Sequence, residues 1–437
     1  MAKISNILLE FADVIKQEGL VSKDELSPSN KLVKRFIRLA RQVPDARMRG
    51  MVEYPLKEIL LIAFFAVLSG VDTWAHMAIF GKLRESWLRK FLKYKNGVPS
   101  HDTFRRVFSL IAPDVLQRLT VGFLMDNMNR IKASLGIEAS GVRLINIDGK
   151  QANGTGRARG KDGAFPNLQA LNVYDASSGI CLAMKHIDRK TNEIPAAQEA
   201  LMALDIKGAI VTCDALNTQK KTIEIIACKE KKGQYVAALK DNNHTFYSEV
   251  NEYFSEEKLK EIMRRGVNFV TSTEKAHSKV ETRNFYLTSD VKWFEDRSEW
   301  TNLRAFICYE KIMTDTGSGE ATRERRLFIS SVKDAGLCAE AIRGHWAVEN
   351  NLHWHLDFSF GDDSDMTTDK NAYQNFSLFR RMVLTICRMA QPFMKESIRT
   401  IRWSIGLEPQ SQLGIILGTL DETRIESALR AAVVKKS

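Results

Sequence analysis

The stretch "VRLINIDGK", residues 142–150, is where the chain changes its period. Up to about residue 130 apolar positions recur at helical spacing. Here they alternate, which puts Leu144, Asn146 and Asp148 on one face of an extended strand. The strand runs into a polar, glycine-rich loop, "GKQANGTGRARGKDG" (149–163), so Asp148 stands at a strand end facing a loop. Outward from there, "NLQALNVYD" (167–175) and "ICLAMKHI" (180–187) flank the turn "ASSG" and predict an antiparallel hairpin. "TNEIPAAQEALMALD" (191–205) opens with cap residues and an early proline, the signature of a helix start. "GAIVTCDA" (208–215) is a short strand ending at Asp214, "TQKKTIEIIACKEKKG" (218–233) a helix and "QYVAALK" (234–240) a strand. That succession predicts a mixed α/β sheet with flanking helices.

Upstream, "PLKEILLIAFFAVLSG" (55–70), "DTWAHMAIFGKLRESWLRKFL" (72–92) and "DVLQRLTVGFLMDNMN" (114–129) predict helices. A turn and then Ser100 or Asp102 as a cap open a short helix carrying Arg105 and Arg106, which suits a DNA groove. Downstream, residues 245–335 hold four strand-like segments, and a helix is expected from about 337 to 356. The expected organisation is an all-helical N-terminal domain over 1–135, an α/β domain over 140–395 with a β-rich insertion at about 245–335, and a C-terminal extension over 396–437.

Composition narrows the function. In 437 residues, Lys and Arg total 64 against 53 Asp and Glu, a net charge of +11 that points to a polyanionic partner, nucleic acid before membrane. The most apolar run, "ILLIAFFAVL" (59–68), is too short for a bilayer and reads as a buried helix. The six cysteines form no C-x-x-C pair, which argues against a zinc ribbon and for reduced thiols in a cytosolic protein.

The stretch "RGHWAVENNLHWHLDFSFGDD" (343–363) concentrates metal-ligand chemistry. His345, Glu349 and His353 recur every four residues, as on one helix face, and resemble zinc ligands at first sight. No compact zinc pattern such as H-E-x-x-H occurs. The two strand-end aspartates offer a better set. If their strands are parallel neighbours, Asp148 and Asp214 converge and repel unless a divalent cation joins them, and oxygen ligands favour magnesium or manganese. Glu349 is the third acid. Arg343 and, in the loop after Asp148, Lys150, Arg157, Arg159 and Lys161 are candidate phosphate contacts. Trp346 and Trp354 read as core.

"INIDGK", "VTCDALNTQK" and the 343–363 stretch together resemble the three acidic motifs of the H-repeat-associated bacterial insertion-sequence transposases, DDE enzymes with an RNase H-like core. The helical segment from "YPLKEILLIAFFAVLSGVDTW" (54–74) to "GVPSHDTFRRVFSLI" (97–111) resembles the domain ahead of that core. "NEIPAAQEALMALDIKGAIVTCDA" (192–215) resembles the approach to the second acid. The resemblance implies Asp148, Asp214 and Glu349 as catalytic and metal-holding residues for two Mg2+ or Mn2+ ions, with His345, Asn350 and His353 beside the metals. It implies double-stranded DNA as partner, both element terminal inverted repeats and target, a homodimer in the active complex, and a bacterial cytoplasmic, nucleoid-associated location without membrane contact. The alternatives are a DNA-binding repressor that keeps the fold without the chemistry, and a nuclease without strand transfer.

Overall fold

The structure, a computed structural model, describes residues 25–134, 142–156, 167–187, 192–276, 278–423 and 425–426. It opens with helices α1 (Lys31–Gln42), α2 (Leu56–Leu68), α3 (Trp74–Leu83), the short α4 (Glu85–Leu88), α5 (His101–Leu110) and α6 (Pro113–Ser134). Local chemistry sets their starts. The Asn30 side chain accepts from the Val33 amide, and Ser100, not Asp102, caps α5 by accepting from Thr103. The apolar run in α2 is buried on every side, so no amphipathic period is visible in it. Among the described residues no single helix is long and apolar enough to cross a membrane.

The strands are β1 (Leu144–Ala152), β2 (Leu168–Asp175), β3 (Ile180–Ile187), β4 (Ile210–Cys213) and β5 (Gln234–Leu239), with α7 (Glu193–Ala203) before β4 and α8 (Lys220–Ala227) after it. β1 pairs antiparallel with β2 and parallel with β4, and β4 pairs parallel with β5. The resulting order, β3-β2-β1-β4-β5, is the RNase H-like arrangement. The segment after β5 begins with two helices, α9 (His244–Tyr253) and α10 (Glu256–Arg265), that reading it as strands overlooked. Ser255 caps α10 and Gly266 closes it at φ 72, both ordinary helix signals. Then β6 (Phe269–Ala276), β7 (Lys279–Thr288), β8 (Ala305–Asp315) and β9 (Ala321–Ser330) form a meander whose last strand pairs antiparallel with β5. The inserted strands thus lengthen the same sheet to nine strands.

The expected helix over 337–356 is present and continuous, but it is not regular. α11 (Ala335–Val348) passes through a π-helical turn at Glu349–His353 into α12 (Trp354–Phe360), and the Trp354 amide bonds to the Glu349 carbonyl five residues back. The wider turn shifts the faces that α12 presents relative to α11. Trp346 and Trp354, expected in the core, are 46% and 50% exposed. Trp354 stacks on Phe358, and the Arg326 guanidinium lies over Trp346.

α13 (Lys370–Met394), α14 (Ile398–Leu407) and α15 (Pro409–Thr419) complete the chain of elements. α13 carries two adjacent buried arginines. Arg380 bonds Asp362 at 2.9 Å and Asp365 at 2.8 Å, all of them buried. Breaking one partner of such a pair costs about 3–5 kcal/mol because it strands a charge. The last helices meet the first ones. Asn30 donates to the Leu417 carbonyl at 3.1 Å, and Arg35 holds both oxygens of Glu422 at 2.8 Å.

That guanidinium holds the Glu422 carboxyl down at about 2. A depressed acid stabilises the fold fully above its unfolded pKa of about 4.3 and loses that contribution as pH falls toward 2. Glu422→Gln is expected to cost on the order of 1–2 kcal/mol at pH 7 and almost nothing near pH 2. Urea denaturation across that range checks it; an equal loss at both pH values would exclude the ion pair as the source.

Candidate active site

Ile147 of β1 lies opposite Cys213 of β4, so Asp214, one residue past the end of β4, stands beside Asp148. Asp148 is not at a strand end as expected: β1 runs on to Ala152, held by its antiparallel pairing with β2, where a loop was expected from residue 149. Strand alternation sends the even-numbered side chains to the face covered by α11. There Leu144 and Ile210 pack with Ala341 and Ile342, and α11 rides so low over β1 that a Cβ on Gly344 would collide with the Leu144 side chain. Asn146 donates to the Gly344 carbonyl at 2.6 Å. Thr212 donates to Asn146 Oδ1 at 3.0 Å, and its oxygen lies 2.8 Å from His345 Nδ1. This buried polar chain fixes the helix over β1 and β4 and delivers Glu349 to Asp148.

Asp148, Glu349 and His353 form one tight group, each offering an oxygen or nitrogen within 4.8 Å of the others. His353 Nδ1 is 3.5 Å from Glu349 Oε2 and 3.7 Å from Asp148 Oδ2. Asp214 borders the group. Its Oδ1 accepts from the Asn217 backbone and side chain, both at 3.0 Å. Burial first, then the negative charges of Glu349 and Asp214, push the Asp148 carboxyl well above its usual range. Glu349 moves down, chiefly through His353. Burial holds His345 and His353 below the usual imidazole range. Glu349 is half exposed, with 53% of its side chain open to solvent, so the group is reachable from outside.

The donor set fits a hard divalent cation. Two carboxylates and a third nearby converge where the protein supplies too little positive charge to balance them, and a cation would relieve the repulsion.

Residues 37–124 match the family profile described as "DDE_Tnp_1-associated", and residues 140–386 match that of the transposase DDE domain. The chain belongs to the DDE transposases. It is 30% identical over 350 residues to YhhI of Escherichia coli (strain K12), an H repeat-associated protein named as a candidate transposase, covering 79% of this chain and 88% of YhhI. YncI of Escherichia coli O157:H7, also named as a candidate transposase, is 29% identical over 350 residues, 79% of this chain and 85% of that one. A solved piggyBac transposase synaptic complex with hairpin DNA aligns over 93% of this chain and 82% of that chain at 11% identity and TM-score 0.34, too distant to argue from.

The remaining predicted residues of this transposase scatter. Lys150 is buried against Asp357 at 2.5 Å and Asp363 at 3.4 Å. Arg343 turns to Glu274 on β6, at 2.7 Å, away from Glu349. Arg105 and Arg106 are exposed on α5, with Asp102 3.9 Å from Arg105. Asn350 is exposed. Arg157, Arg159 and Lys161 lie outside the described residues, as does the start of the chain through residue 24.

One acid of the transposase went unread in the sequence. Glu193, the first residue of α7, reaches over Gly149 so closely that a Cβ there would collide with its Oε1. Burial and the charge of Asp214 raise its carboxyl. In sequence it passes for an ordinary first-turn acid after the Asn192 cap.

A carboxyl whose pKa rises on folding destabilises the folded state once pH exceeds its unfolded pKa, because the folded chain then holds more protons. Asp148→Asn is therefore expected to raise the melting temperature of the metal-free transposase at pH 8, by more than at pH 4, while reducing the stabilisation gained from added Mg2+. A thermal-shift series with and without Mg2+ tests both halves; a lower melting temperature at pH 8 would show that the repulsion is not felt.

Proposed function

We propose that this transposase cuts and joins DNA at the ends of its insertion sequence, with Asp148, Asp214 and Glu349 as the catalytic carboxylates. The observation that supports it most is the delivery of Glu349 by α11 and its π turn to Asp148 on β1, next to the end of β4. Asp148 on β1, with Asp214 and Glu349 beside it, would hold the Mg2+ ions through carboxylate oxygens. Bound there, such ions activate a nucleophile and neutralise charge on phosphate and leaving oxygen. Water adds to phosphorus, the bond to the 3′ oxygen breaks, and that oxygen departs as a hydroxyl. The 3′ hydroxyl then displaces a 3′ oxygen of target DNA, losing its proton as the new ester forms.

The side chains orient these ligands. The Asn146–Thr212–His345 chain fixes the helix that carries Glu349. Lys150, held by Asp357 and Asp363, anchors the segment after Asp148 and lends a positive potential near Glu349. Arg105 and Arg106, exposed on a short capped helix, are suited to contact duplex phosphates. With a net charge of +11, affinity for DNA should fall steeply with salt as counterions stay bound to the duplex.

Cleavage of an element-end duplex is expected to require Mg2+ or Mn2+, with Ca2+ supporting binding but little turnover. Asp148→Ala or Glu349→Gln should lower the cleavage rate at least about 10²–10³-fold and leave DNA affinity within a few fold. A gel assay of nicking and joining, paired with binding isotherms at several salt concentrations, decides it. Full activity of Glu349→Gln would end the assignment, and salt-independent binding would point to a partner other than DNA.

A further inference from the structure

His353 is placed as if to be a third metal ligand, since its Nδ1 faces both Glu349 and Asp148. The bonds on the other side of the ring assign it a different part. Asn172 Oδ1 receives two N–H groups of Arg381, Nε at 3.1 Å and Nη2 at 2.8 Å. A guanidinium only donates, so this end of the amide must be the oxygen. A flipped amide would set N–H against N–H and lose both bonds. The remaining end, Asn172 Nδ2, lies 3.1 Å from His353 Nε2, and an amide NH2 only donates too. Nε2 must therefore present its lone pair, and the ring carries its proton on Nδ1. All three side chains are buried, Asn172 and Arg381 among them at 0% and 4% exposure, so water does not replace these partners.

We propose that Arg381 and Asn172 lock His353 in the tautomer that turns Nδ1–H toward Glu349 and Asp148, deny its nitrogen to the metal, and so keep the centre selective for ions that prefer oxygen. The inference rests on the reading of Asp148 and Glu349 as metal-holding carboxylates. Arg381 and Asn172 are positioning residues in it: they act through the ring. Nitrogen donors favour Zn2+ and Co2+ over Mg2+. A site with Nδ1 bare would recruit these ions. With Nδ1–H in place, the ring braces the carboxylates and leaves their outward oxygens for the cation.

The test reads the tautomer directly, in the full chain, without metal or DNA. Two-bond 1H–15N correlation spectra of 15N-histidine-labelled protein distinguish a ring protonated at Nδ1 from one protonated at Nε2. The His353 signal is assigned by its loss in His353→Gln or by its broadening on addition of Mn2+. The Nδ1–H pattern is expected; an Nε2–H pattern overturns the proposal. Asn172→Asp then replaces the donor with an acceptor while keeping a partner for Arg381. It should move the proton to Nε2 and raise Co2+ affinity, monitored by visible absorption, about 10-fold or more relative to Mg2+. An unchanged Co2+ to Mg2+ ratio with the proton moved would also overturn it. Failure of the functional reading is separable. A Nδ1–H ring in a protein that never cleaves DNA would sink that reading alone. An Nε2–H ring beside intact Mg2+-dependent cleavage would sink this one alone.

Discussion

Asp148, within β1, and Asp214, just past the end of the parallel neighbour β4, stand side by side, and two carboxylates so placed repel each other. Much of the surrounding structure can be understood as holding that repulsion in place without cancelling it. The nearby cations of this transposase are committed elsewhere. Lys150 is taken by Asp357 and Asp363, Arg380 by Asp362 and Asp365, and Arg381 by Asn172. Had Lys150 paired with Asp148 instead, that carboxylate would be neutralised and a worse ligand for a metal. The centre keeps its negative charge because the acids of the loop after α12 absorb the positive charge around it.

How much of this could be read from the amino-acid order depends on range. The alternation in 142–148 and the short apolar strand at 208–215 are local signals, and they led to both aspartates, though not to the four residues by which β1 runs on past Asp148. Glu349 was reached through its motif. The π turn has no local signature, because the residues ENNLH suit an ordinary helix equally well, so the exposure of Trp354 beyond it was not foreseen; Trp346, ahead of the turn, lies exposed under the Arg326 guanidinium of β9. Glu193 resembles any acid in a first helical turn until the fold lays it over Gly149. Arg343 meets Glu274 only because the insertion folds β6 back toward α11. The link from Arg381 through Asn172 to His353 joins three elements far apart in the chain, and nothing in the order of residues announces it.

The insertion shows how a large addition is accommodated. β9 docks on the free edge of β5, and β8, β7 and β6 extend the sheet from it in register. The edge that would otherwise lie open beside the centre is covered, and the new strands inherit the twist of the old sheet. Glu310 on β8, 1% exposed, is gripped by Arg323 and Arg325 of β9, which also reach Glu256 of α10. The addition is thus fastened by charges of its own, and Arg343 with Glu274 ties it to the helix that carries the third acid.

The first helices close against the last ones, through Leu26 with Gln410, Asn30 with Leu417, Lys31 with Asp421 and Arg35 with Glu422. On a ribosome these partners appear at opposite ends of synthesis. At roughly 5–20 residues per second, α1 waits on the order of half a minute for the segment it rests on. A message cut short in its last tenth therefore yields a chain in which α1 keeps its packing on α2 and α6 but loses the partners of Asn30, Lys31 and the Arg35 guanidinium. Genetic truncation at the 3′ end of the reading frame removes one wall of the helical layer even though every carboxylate of the centre has been translated.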